Sequence, residues 1–183
     1  FMGTPFFAVP ILKSLYLNGY SVSVVYTQPP KKSQRGQKIN PSSVEDFSKK
    51  KKLSVRNPFS LNNQTEFKIL KEMSPDIVIV VAYGQIIPKN FLNIPKFGFI
   101  NIHASLLPKW RGAAPIQRAI MNKDKKIGVT IMKIEEKLDS GPILLSKEFE
   151  LDQNMTHGEI EKKLSELGAS ALIESLKIIE NGK

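Results

Sequence analysis

Asn101 and His103, in the stretch NIHASLLPKWRGAAP at residues 101–115, are the residues whose types and spacing best suit chemistry. They stand two apart at the end of an apolar strand pattern, so both side chains emerge on one face. An Asn amide donates to a carbonyl oxygen that is becoming an oxyanion, and an imidazole moves protons near neutral pH. The chain has only two histidines, and the loop after this one is rich in backbone-restricting residues, with Pro108, Trp110, Arg111, Gly112 and Pro115. The competing reading is structural: both polar side chains satisfy loop backbone.

A carboxylate is the missing partner, and Asp139 in KLDSGPI is the best candidate. It follows a strand pattern and precedes a Ser-Gly-Pro turn, which is where a loop returns a side chain to a site. A carboxylate there orients the imidazole and raises its pKa, although Asp before Ser-Gly is also ordinary turn chemistry. Ser105 lies in no Gly-x-Ser-x-Gly elbow and is not read as a nucleophile. No metal site is expected, because His103 and His157 are far apart in sequence and the chain has no cysteine. His157 is read as the surface start of the last helix. A nicotinamide cofactor is disfavoured too: GTPFFA has one glycine where the dinucleotide fingerprint wants three, and no acid follows in YTQPP.

The elements that must position these residues alternate. VPILKSLYLNGY reads as a helix ending at Gly19, with Thr4 as its cap and Pro5 in its first turn, or with a regular start only near Pro10, which disturbs the longer reading. SVSVVYT at residues 21–27 reads as a strand, SSVEDFSKKKK as a helix, LSVR as a short strand and NQTEFKILKEM as a helix. PDIVIVVAYG at residues 75–84 is a continuous β-branched run suited to a central parallel strand, and FGFINIH is the next strand. AAPIQRAIMN is helical, GVTIMKI and ILLSKEFEL are strands, and a long helix from THGEIEKKL closes the chain. This alternation predicts an α/β fold, a Rossmann-like doubly wound and mostly parallel sheet, with ligands bound beyond the carboxyl ends of the strands.

The 183 residues suffice for one domain, and a first strand is expected to begin ahead of Phe1. No run of eighteen apolar residues and no leader pattern are present, and the absence of cysteine agrees with a cytoplasmic location. A net charge of +10 favours a polyanionic partner such as nucleic acid, although lysine-rich surfaces also serve solubility. The KKKK run at residues 49–52 reads as a solvated helix end.

Together, FMGTPFFAVP, YTQP, VVAYGQIIP, NIHASLLPKWRGAAPIQRAI, GVTIMKI and LDSGPIL resemble the catalytic domain of the methionyl-tRNA formyltransferases, in order and over nearly the whole chain. The resemblance implies formyl transfer from 10-formyltetrahydrofolate to the α-amino group of methionine on initiator tRNA, without a metal. It implies that Asn101 bonds the formyl oxygen, that His103 stabilises the oxyanion and relays a proton, and that Asp139 holds His103 and a water. Ser105, Leu106, Leu107 and Pro108 are expected to line the folate site, and Tyr83, Gly84, Gln85, Ile86 and Ile87 to offer backbone groups to the pterin. In the basic stretch at residues 29–41, Arg35 and Gly36 match the family's tRNA-entering loop, and Lys31, Lys32 and Lys38 add charge for phosphates. Pro30 departs from the acid usual there.

The resemblance also implies a C-terminal β-barrel domain that these residues do not contain, so residues 1–183 are expected to be a catalytic core, and a monomer. The alternatives are another folate-dependent formyltransferase, a formyltetrahydrofolate hydrolase, or a non-catalytic basic nucleic-acid-binding α/β module.

Overall fold

Strand β1 (Met2–Gly3) sits inside a seven-stranded sheet, with β2 (Val25–Tyr26) and then β5 (Val55–Arg56) on one side. On its other side lie β6 (Val78–Val81) and β7 (Phe99–His103), and all five strands run parallel. Strands β8 (Lys126–Lys133) and β9 (Ile143–Glu150) extend the sheet antiparallel beyond β7. The computed structural model describes residues 1–33 and 38–182.

Burial explains the composition of each strand. All four residues of β6, VIVV, are buried, as a parallel strand covered on both faces requires. β7 sorts its residues by face: Ile100 and Ile102 enter the core under α1 (Ala8–Leu17), α2 (Ser43–Lys50), α4 (Pro115–Met121) and α5 (His157–Glu180), whereas Phe99 joins the opposite core under α3 (Gln64–Met73). Asn101 and His103 share the face of Phe99, further along the strand. The second core is closed by Phe67 and Phe91, whose rings meet edge-on at 5.5 Å.

Helix α5 is the main clamp. A capping box between Thr156 and Glu159 starts it, and Ile160, Leu164, Ala171, Leu172 and Leu176 form its buried stripe. Gly168 lets it approach: a Cβ there would stand 3.2 Å from Ile102 Cγ2 and 3.3 Å from Ile11 Cδ1. The helices, β5, β6 and β7 lie where the sequence places them, with ends shifted by a few residues.

Three expectations need correction. Within SVSVVYT only Val25–Tyr26 is laddered, because its neighbours β1 and β5 offer two residues each. Thr4 is not a helix cap: α1 begins at Ala8, which leaves Pro10 in the first turn where its missing N–H costs nothing. Its hydroxyl instead donates to the Tyr83 carbonyl at 2.8 Å, joining the ends of β1 and β6. Finally, the stretch at residues 29–41, read as a loop, contains two antiparallel strands, β3 (Lys31–Ser33) and β4 (Lys38–Asn40). Arg35 and Gly36 lie outside the described residues, as do the side chains of Lys32 and Lys38, whereas Lys31 is exposed.

Candidate active site

From β1 the chain winds outward to β2 and β5, then crosses back to β6, so the order reverses between β1 and β6. Open α/β sheets bind ligands beyond the carboxyl ends at such a point. A cavity of about 810 Å³ opens there. The segments after β1, β6 and β7 line it, together with residues 112–114, the first turn of α4, the 134–139 loop and the start of α5.

Asn101, His103 and Asp139, separated by up to 38 residues, meet in this cavity. Asp139 Oδ1 accepts from Asn101 Nδ2 at 3.4 Å, and Oδ2 accepts the Gly112 N–H at 2.8 Å. Oδ2 also stands 3.7 Å from His103 Nδ1, within ion-pair reach but too far for a direct hydrogen bond. The other ring nitrogen, Nε2, lies 2.9 Å from the Trp110 carbonyl. A carbonyl only accepts, so Nε2 carries a proton, and in the neutral form of the ring the lone pair lies on Nδ1. Both side chains are at least nine-tenths buried.

Backbone conformation concentrates here. Among the described residues seven non-glycine positions have positive φ, and three of them, Lys52, Ser74 and Lys123, follow helix C-termini. The other four, Ala82, Trp110, Ala114 and Asp139, surround or support the cavity. Each costs on the order of 1–3 kcal/mol and persists only where neighbours over-determine it. The Asp139 conformation is among the cheapest, because Asp tolerates the left-handed region.

The wall after β6 is fixed from three sides. Thr4 Oγ1 donates to the Tyr83 carbonyl, Gln28 Nε2 donates to the Gly84 carbonyl at 2.7 Å, and Gln85 bridges the Leu61 N–H at 3.1 Å and the Pro58 carbonyl at 2.9 Å. Tyr83 turns its ring into the second core, where burial pushes its hydroxyl pKa up. Ile86, 91% exposed, and Leu138 give the rim an apolar edge.

Ser105, Leu106, Leu107 and Pro108, expected to line the folate site, are not among the residues that line this cavity. Ser105 is fully buried, its hydroxyl donates to the Lys109 carbonyl at 2.6 Å and its carbonyl accepts from Thr130 Oγ1. Thr130 also accepts the Leu107 N–H, so the segment is stitched to β8, ahead of the turn that presents Trp110. His157, read as a surface residue, is exposed and also lines the cavity mouth with Glu161, one turn on. Sequence gave no sign of this, because the route of α5 past the mouth is a packing result. Among the described residues no three His, Asp or Glu side chains gather as metal ligands, and no helix is long and apolar enough to cross a membrane.

The Rossmann-like, mostly parallel sheet is the fold of solved formyltransferases. The chain belongs to the formyl transferase family, whose sequence pattern matches residues 1–176. It is 55% identical over 184 aligned residues to a methionyl-tRNA formyltransferase of Pelagibacter ubique, covering 100% of this chain and 59% of that protein. Among solved structures it resembles phosphoribosylglycinamide formyltransferase of Bacillus halodurans, with a TM-score of 0.77 at 22% identity, covering 100% of this chain and 94% of that one. It also resembles a sugar 3N-formyl transferase solved with dTDP and 5-N-formyl-THF, with a TM-score of 0.71 at 22% identity, covering 99% of this chain and 62% of that one. The chain thus spans about three-fifths of the length of its curated relative.

Proposed function

We propose that this chain is the catalytic part of a methionyl-tRNA formyltransferase, which moves the formyl group of 10-formyltetrahydrofolate to the α-amino group of methionine on initiator tRNA. The convergence of Asn101, His103 and Asp139 in one cavity carries this reading, in a chain 55% identical to a protein of that name. The volume of about 810 Å³ suits a folate-sized ligand, and the structural relative solved with 5-N-formyl-THF supports that ligand class.

In this mechanism the methionyl nitrogen attacks the formyl carbon, a C–N bond forms, and the bond from that carbon to folate N10 breaks. Asn101 exchanges its long 3.4 Å contact with Asp139 for the formyl oxygen and stabilises it as the oxyanion. His103 has Nε2 committed to Trp110, so Nδ1 is the nitrogen that relays the proton from the attacking amine towards N10. Asp139 steadies that ring, and the 3.7 Å gap to Nδ1 is the place for a bridging water. The folate lies against the 83–87 wall, with Ile86 and Leu138 over its apolar face. No metal takes part.

The strands β3 and β4 leave the carboxyl edge of the sheet, close to Gln28 and Gly84 at the cavity wall. The basic residues of this stretch, Lys31, Lys32, Arg35 and Lys38, with Gly36, contact the phosphates of the tRNA acceptor end and set a salt-dependent affinity. The reaction belongs to translation initiation in the cytoplasm, and the chain acts as a monomer.

The test is formyl-methionine formation from 10-formyltetrahydrofolate and methionyl-tRNA by the longest natural chain that carries these residues, beside a control without tRNA. Product that requires charged tRNA is the expected result. Tetrahydrofolate released without tRNA, or no turnover of the folate, would overturn the reading.

A further inference from the structure

We infer that Asp124 is a positioning residue for His103, acting through the indole and the backbone of Trp110. Asp124 lines no part of the cavity, yet its charged side chain is almost entirely buried. Two of its partners come from the segment that carries Trp110: Oδ2 accepts the Trp110 indole N–H at 2.7 Å and Oδ1 accepts from Lys109 Nζ at 3.5 Å, and Oδ1 also accepts from Asn122 Nδ2 at 2.7 Å. Burial by itself raises a carboxyl pKa, but the hydrogen bonds from Trp110 and Asn122 and the Lys109 charge outweigh it, so the group stays ionised below its ordinary range. The backbone is pinned as well: the Asp124 N–H donates to the Ala119 carbonyl at 3.0 Å, and Gln153 Nε2 donates to the Asp124 carbonyl at 3.3 Å.

What this anchor holds is an unfavourable conformation. Trp110 sits at φ +57°, where a bulky side chain does not stay without outside support. In that conformation its carbonyl lies 2.9 Å from His103 Nε2. Release of the indole lets Trp110 relax towards negative φ and turns the carbonyl away from the ring. His103 then loses the acceptor that keeps its proton on Nε2 and its lone pair on Nδ1, facing Asp139. The ion pair of Asp124 with Lys109, at 3.5 Å and with the lysine side chain 64% exposed, is a minor part of this arrangement. The buried, charged carboxylate bonded to the partly buried indole is the larger part.

The kinetic half of the test rests on the proposed formyl transfer, whereas the spectroscopic half does not. Trp110→Phe keeps an aromatic ring and deletes the indole N–H, Asp124→Ala removes the anchor, and Asp124→Asn keeps one oxygen that accepts from the indole. Nitrogen-15 NMR of the imidazoles in this chain, above the pH at which they titrate, reads the His103 tautomer directly, with His157→Asn to assign the two signals. The wild type shows the Nε2–H tautomer, and Trp110→Phe and Asp124→Ala shift it to a mixture. In the full natural chain kcat falls about ten- to a hundredfold in these two variants while KM for the formyl donor moves little, and Asp124→Asn retains more activity than Asp124→Ala. A folded Trp110→Phe protein with the wild-type tautomer and kcat would overturn the inference, and it decides the matter alone if Asp124→Ala does not fold. A tautomer that follows Asp124 in a protein without formyl transfer supports the positioning role and removes the functional reading instead.

Discussion

Gly112 holds Asp139: its backbone N–H donates to Oδ2 at 2.8 Å from a conformation, φ +84°, that glycine adopts readily. The carboxylate so fixed faces both Asn101 and His103. Asp139→Asn keeps an acceptor for Gly112 and removes the charge. Its kcat is expected to fall on the order of a hundredfold, with folate KM little changed. Steady-state kinetics on the folded variant decide this, and an unaltered kcat would leave Asp139 only a turn-forming role.

Asn101→Ala removes the donor assigned to the oxyanion, and His103→Ala removes the proton relay. Each is expected to lower kcat/KM by on the order of a hundredfold or more, mostly through kcat. Single-turnover formylation with folate bound in excess separates this from weakened binding. A variant that loses only affinity would contradict the role given to its residue.

Acid should expose the pair under the second core. Arg56 donates from Nε to Glu66 Oε2 at 2.9 Å and from Nη2 to Oε1 at 2.7 Å. These bonds hold Glu66 below its ordinary 4.5 against the opposite pull of burial. A depressed folded-state pKa means the stabilisation is present above 4.5 and disappears as pH falls through the lower value. Urea midpoints measured from about pH 6 down to about pH 3 should therefore drop less steeply in Glu66→Gln than in the wild type. Parallel slopes would mean the pair contributes nothing.

Leu172 is fully buried in the α5 stripe. Leu172→Ala should cost about 2–5 kcal/mol and lower Tm by roughly 5–20 °C. Calorimetry tests this, and a loss under about 1 kcal/mol would show that the helix repacks over the gap.

Thr27 and Ser42 close the base of the β3–β4 excursion, their hydroxyls 2.6 Å apart. Thr27→Val keeps the volume and removes the bond. The expected outcome is a several-fold rise in KM for methionyl-tRNA at moderate salt, with folate KM unchanged. Equal tRNA KM in both proteins would detach the excursion from acceptor binding.

Much of this was written locally. The run VIVV could be placed as a buried parallel strand because four β-branched residues in a row suit a strand covered on both faces. The two-residue spacing of Asn101 and His103 put them on one face for the same covalent reason that alternates all strand side chains. A threonine hydroxyl accepts when it caps a helix and donates when it ties two strands, and the residue type alone does not separate the two; the 2.8 Å bond to the Tyr83 carbonyl does. The β3 and β4 strands were hidden because lysine-rich residues carry no alternating apolar signal.

The sequence by itself determined the α/β class, the family and the three polar residues of the cavity, because periodicity and motif spacing are properties of the chain. Only the tertiary structure decided that Asp139 reaches His103 across 36 residues, that Trp110 offers its carbonyl to the imidazole, and that Ser105 to Pro108 lie outside the cavity wall. Those relations depend on where loops end in space. Loop ends are set by packing and by hydrogen bonds between segments far apart in the chain, which no local pattern encodes.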